Sequence, residues 1–166
     1  RSTKSNFTAS IKGNVHILFD ERDIPHIYAQ NLEDAIYAQG FLHASNRLFA
    51  MDISTRAASG RLSEIIGPRT IAHDHTQREK GFEWSAIQKS KSWESFKENK
   101  DLIDAYVKGV NDYISTLDYK DWPLEYKILS HGPVTWTSTH TSLMLTNMAI
   151  MLCLAEQDLA NTKAKS

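Results

Sequence analysis

The residues with the widest chemical capacity in this chain are its seven histidines. His73-Asp74-His75 is the one cluster that resembles a metal site, but its imidazoles stand two apart. A helix needs a spacing of three or four to present both rings on one face, so the stretch reads as a solvated loop between Pro68 and Gln77. His26 and His43 are of the right type for general bases, yet a histidine in a strand or a helix is more often packed and hydrogen-bonded. Arg47, Arg56 and Arg61 lie near Asp52 and Glu64. The spacings Asp52 to Arg56 and Arg61 to Glu64 match adjacent helical turns, so an ion-pair network is expected before substrate binding. Neither a nucleophile elbow nor a glycine-rich phosphate cradle occurs, which removes the usual signatures of a self-contained hydrolase and of nucleotide binding.

The most informative segment is apolar. Leu143, Met144, Leu145, Met148, Ile150, Met151, Leu152 and Leu154 make a helix that is hydrophobic nearly all round, so it is expected to be buried. Ordinary core and an adaptable pocket wall are both consistent with this composition, because flexible thioethers fit varied ligands. Each ligand methylene buried there would contribute about 0.8 kcal/mol. Cys153, the single cysteine, sits in this run and reads as a small hydrophobe; a disulfide within the chain and a cysteine-based zinc cluster are excluded. Glu156 and Asp158 follow. Calcium takes six to eight oxygens, so these carboxylates would complete a cation site built mainly elsewhere.

The positioning elements follow from periodicity. Residues 1–14 read as a loose terminus and residues 15–30 as a β-hairpin, with Val15, Ile17 and Phe19 on one face and Pro25 favouring extended backbone before His26, Ile27 and Tyr28. Residues 31–160 read as a helical layer. Asn31 caps a long helix running to about Ala58, within which Gly40 marks a close helix crossing or a break. A short helix spans Leu62 to Ile66, and an amphipathic helix spans Lys100 to Leu117. A short piece covers Leu124 to Leu129, and the apolar helix begins at Thr137 or Ser138. The class is α+β, mostly helical, and a hairpin able to extend a larger sheet gives the architecture an incomplete look.

The chain has 166 residues and a mass of 18.9 kDa, with 41% hydrophobic and 23% charged residues, the composition of one globular unit. Its net charge of −1 provides no global field toward nucleic acid or an anionic membrane surface. The apolar run is broken by Thr146 and Asn147 and is too short to span a bilayer. The first residue is Arg1, with no apolar signal core after it, which reads as a processed product or a trimmed fragment.

Ile24-Pro25-His26-Ile27-Tyr28-Ala29, Asp34-Ala35-Ile36-Tyr37-Ala38-Gln39-Gly40-Phe41-Leu42-His43-Ala44, Arg47-Leu48-Phe49-Ala50-Met51-Asp52 and Gly60-Arg61-Leu62-Ser63-Glu64-Ile65-Ile66-Gly67 closely resemble the start of the α subunit of penicillin acylase family amidases. Ala105 to Ile114, Leu124 to Leu129 and Trp136 extend the resemblance, which covers about residues 15–160. The family pattern usually carries a glycine where Asp23 stands, a glutamine at Ala50 and an arginine at Thr55.

The resemblance implies an αββα N-terminal-nucleophile hydrolase, exported to the periplasm with its signal peptide removed and cut from one precursor into an α chain and a larger β chain. It implies no catalytic side chain here. The nucleophile would be the serine that begins the β chain, with its own α-amine as base. It further implies an acyl pocket lined by Met148, Met151 and Leu152, and a structural calcium, shared with the β chain, held by Asp158 or alternatively Glu156, with no organic cofactor. Met151 and Leu152 replace an arginine and an aromatic of phenylacetyl-preferring members, so aliphatic N-acyl substrates are expected, acyl-homoserine lactones competing with penicillins. The rival reading is a non-catalytic helical binding module with a Met-rich ligand or partner face.

Overall fold

The computed structural model describes residues 11–152. Strands β1 (Val15–Phe19) and β2 (Pro25–Ala29) form an antiparallel hairpin in which Val15 faces Ala29, Ile17 faces Ile27 and Phe19 faces Pro25. Those pairs share one face; Leu18 and Tyr28 point the other way and are exposed. The turn is built on Asp20, whose carboxylate accepts the backbone N–H of Arg22 (2.8 Å) and of Ile24 (2.9 Å). Asp23 adopts φ 58°, in the left-handed region. Glycine adopts this conformation freely, and aspartate is among the few other residues that accept it.

Helix α1 (Leu32–Ser59) starts at Asn31, whose side chain accepts the Asp34 N–H. Asp34 is itself buried and accepts the backbone N–H groups of Lys12 (3.0 Å) and Gly13 (2.8 Å), tying the segment before the hairpin to the first helical turn. Burial opposes this charge, but the bonds from Lys12, Asn31 and Gly13 outweigh it and hold the carboxyl below the usual range. Of the alternatives at Gly40, the crossing is found there and the break is elsewhere, at Arg47, which has non-helical backbone angles of φ −140° and ψ 23°. Gly60, at φ 69°, closes the helix.

Helix α2 (Ser63–Ile66) is followed by a 3-10 turn and by α3 (Ile71–Glu79), α4 (Phe82–Trp93), α5 (Lys97–Ser115), α6 (Leu124–Ile128) and α7 (Ser138–Leu152). The expectation of a solvated loop at His73-Asp74-His75 is therefore corrected: these residues are helical. Asp74 is the reason. Its buried carboxylate accepts the backbone N–H groups of Leu62 (3.0 Å) and Ser63 (2.8 Å), so one side chain of α3 caps the start of α2.

The main core lies where α1 and α5 cross: Ala44, Leu48 and Met51 meet Val110, Tyr126 and Trp136. A smaller cluster, Ala58, Ala86 and Leu143, joins α1, α4 and α7. Among the described residues no helix is long and apolar enough to cross a membrane.

Candidate functional site: the outer face of the last helix

Helix α7 is seated by its inner face. Ser142, Leu143 and Thr146 are buried, with Leu143 against Ala58 and Ala86 and Thr146 accepting the ammonium of Lys89 on α4 (3.4 Å). Met144 packs against the main core. The opposite face is open: Leu145, Met148, Met151 and Leu152 are 52%, 58%, 72% and 74% exposed. The expectation that this helix is buried is thus corrected. Among the described residues α1, α4 and α5 pack against one side, and none covers the stripe of Leu145, Met148, Met151 and Leu152. A contiguous apolar stripe of this kind marks a surface for another molecule or another part of the protein. The structure brings Met148, Met151 and Leu152 together on that stripe; Cys153, Glu156 and Asp158 lie outside the described residues.

The approach to α7 is held by side-chain to backbone bonds. The Asn111 amide on α5 donates to the Trp136 carbonyl (2.9 Å) and its carbonyl accepts the Trp136 N–H (2.8 Å). The indole N–H of Trp136 donates to Thr141 (3.0 Å). His140 Nδ1 accepts from the Thr137 backbone N–H (3.0 Å), and the ring packs on Trp136 with centroids 5.1 Å apart. Sequence reading missed His140; the spacing Thr137-x-x-His140, a capping-box spacing, was its available signal.

The arginine network is found in part. Arg56 is buried and donates through Nε to Asp52 (2.8 Å), through Nη1 to Glu64 (2.7 Å) and through Nη2 to His131 Nε2 (2.9 Å). Arg61 adds a bond from Nε to Glu64 (2.7 Å). The hydrogen bond from Arg61, opposed by partial burial and reinforced by both arginine charges, holds the Glu64 carboxyl below its ordinary range. Burial, followed by the neighbouring Asp52 charge, pushes the Tyr126 hydroxyl up. Arg47 stands apart: it is exposed at the kink, without an ion pair among the described residues, so its expected place in the network is corrected. This cluster joins α1, α2 and the segment after α6, which is a structural role.

Three further histidines are placed singly. His26 lies 3.5 Å from Asp20 within the hairpin, His43 Nδ1 sits 3.0 Å from the Tyr106 hydroxyl, and His73 Nε2 sits 3.2 Å from the Ala57 carbonyl. Among the described residues no three histidine, cysteine or acidic side chains are grouped to hold a metal ion.

Comparison with known proteins agrees with this architecture. The penicillin amidase family profile matches residues 14–166. Penicillin acylase 2 proenzyme of Pseudomonas sp. (strain SE83) is 32% identical over 138 residues, covering 83% of this chain and 17% of that protein. Acyl-homoserine lactone acylase QuiP of Pseudomonas aeruginosa is 29% identical over 162 residues, 93% of this chain and 18% of that protein. A thermostable penicillin G acylase from Alcaligenes faecalis shares the fold with a TM-score of 0.73 at 24% identity, over 84% of this chain and 74% of that one. The chain therefore spans less than a fifth of the length of these sequence relatives, and it belongs to the penicillin amidase family.

Proposed function

We propose that this chain is the α part of an N-terminal-nucleophile amidase that cleaves the side-chain amide of N-acyl substrates, and that α7 provides one wall of the acyl pocket. The exposed apolar face of Met148, Met151 and Leu152 carries the reading, because a face of that composition needs a cover that the described residues do not supply. The names of the relatives, a penicillin acylase proenzyme and an acyl-homoserine lactone acylase, support both the reaction class and a longer parent protein.

In this reading the β chain begins with the nucleophilic serine, whose free α-amine is the base. An α-amine has a reference pKa of about 7.7 to 8.0, so about half of it is neutral near pH 8, and that form accepts the hydroxyl proton. The hydroxyl oxygen attacks the amide carbonyl, donors on β hold the oxyanion, the amine departs with a proton, and water releases the acid from the acyl-enzyme. The role of this chain is to bind and orient the acyl tail. Absence of an arginine at Met151 favours aliphatic tails, of acyl-homoserine lactones or penicillins. Asp158, or Glu156, would contribute one ligand to a calcium ion whose other ligands lie on β, as a structural support and not a participant in the reaction. Export to the periplasm completes the proposal.

The test is reconstitution. The α and β chains, separated under denaturing conditions and refolded alone and together, are assayed for hydrolysis of N-acyl homoserine lactones and penicillins. Activity only in the mixture is expected; full activity of β alone would overturn the proposal.

A further inference from the structure

Helix α7 begins with a capping box whose third position is a histidine. In the ordinary arrangement the side chain at that position, a glutamate or glutamine, reaches back to the backbone N–H of the cap. Here the His140 N–H donates to the Thr137 carbonyl (3.0 Å), and His140 Nδ1 accepts the Thr137 backbone N–H (3.0 Å) and lies 3.1 Å from the Thr137 hydroxyl. A ring nitrogen that accepts carries no proton, so the box closes only around a neutral imidazole with its proton on Nε2. Protonation of Nδ1 would set two donors against each other and place a cation at the positive end of α7.

We propose that His140 is the positioning residue for α7, a latch that holds the start of the helix while neutral and releases it on protonation, so that the set of the acyl wall depends on pH. The consequence for acyl selectivity rests on the function proposed above; the latch itself rests on the geometry alone. The surroundings of the ring favour the neutral form at physiological pH. Burial is the largest influence and disfavours the charge. From α1, Asp52 favours it, while Arg61, just beyond that helix, and Arg56 oppose it, and together these hold the imidazole below its ordinary value. Arg56 is also bonded to His131, on the segment leading to the latch. Asn111 on α5 fixes the neighbouring Trp136 backbone through both of its amide atoms, which anchors the ring on which His140 packs.

The experiment compares the full processed protein with its His140→Gln and His140→Glu variants. Imidazolium quenches an adjacent indole more strongly than neutral imidazole, and the Trp136 ring is the one on which His140 packs. Tryptophan fluorescence of the natural protein is expected to fall in a step below pH 6.5, and that step is expected to vanish in His140→Gln. In parallel, the ratio of kcat/KM for a long and a short N-acyl substrate is measured across the same range, a ratio in which the titration of the shared catalytic base cancels. It is expected to change several-fold with the fluorescence step in the natural protein and to stay flat in His140→Gln. An identical step in both proteins would overturn the latch, as would a selectivity ratio that ignores the step. Cleavage of neither substrate would sink the acyl-wall reading, with fluorescence still deciding whether His140 titrates as a latch. Failure of both variants to fold at neutral pH would also overturn the proposal, since either side chain is able to close the box.

Discussion

A Cβ built on Gly109 would lie 2.1 Å from the carbonyl oxygen of Tyr37, and one built on Gly40 would lie 2.3 Å from that of Tyr106. The two glycines let α1 and α5 touch backbone to backbone, and Val110 beside one of them belongs to the main core. Because the obstructing atoms are backbone and not the ends of flexible side chains, the helices must separate to admit a methyl group. Gly109→Ala is expected to cost about 3 kcal/mol or more, at or beyond the upper end of overpacking costs. Thermal and urea unfolding of the natural protein and the variant checks this.

Arg56 bonds Asp52, Glu64 and His131 from one guanidinium. Arg56→Met leaves the Asp52 carboxylate buried without its counter-ion and is expected to destabilise by about 3 to 5 kcal/mol. The double variant Arg56→Met, Asp52→Leu is expected to recover much of that loss, because replacing a buried pair by apolar residues is often neutral. A double-mutant cycle in urea measures both.

Asp74 supplies the acid sensitivity of the segment after α1. Its burial raises the carboxyl, but the hydrogen bonds from Ser63 and Leu62 prevail, so the folded value lies below the unfolded one. Its contribution is therefore fully present above the unfolded value, near pH 4, and disappears as the pH falls through the lower folded value. Asp74→Asn is expected to cost about 1 to 2 kcal/mol at pH 7, the range for a lost helix cap. The difference between variant and natural protein should shrink steadily below pH 4; an unchanged difference at pH 3 would contradict this account.

Asp23 occupies the left-handed region at φ 58°. Asp23→Gly is expected to alter stability by less than about 1 kcal/mol in either direction, relief of strain being set against a more flexible unfolded chain. Urea midpoints decide.

Met148 and Met151 stand open on the outer face of α7. Replacing either by phenylalanine adds bulk to the proposed acyl wall and is expected to shorten the preferred acyl chain by about one to three methylenes, each contributing about 0.8 kcal/mol. A panel of N-acyl substrates of graded length reads this out; unchanged selectivity in both variants would remove these residues from the pocket.

What lies in the amino-acid order alone is whatever depends on local chemistry. Alternation at Val15, Ile17 and Phe19, the Asn31 cap and the amphipathic pattern from Lys100 to Leu117 specify hairpin and helices, because strand and helix periods are fixed by backbone geometry. The motif series from Ile24 to Gly67 was enough to indicate the family. Long-range pairing is another matter. That Asp74 caps α2, that Asn111 grips Trp136 and that Arg47 falls outside the ion network depend on which elements meet, and separations of 11 to 25 residues carry no periodic trace. The apolar helix shows the division most plainly: its composition demanded burial, but only the packing of Leu143 and Thr146 against α4 and α1 determined which side is covered and left Met148, Met151 and Leu152 facing outward.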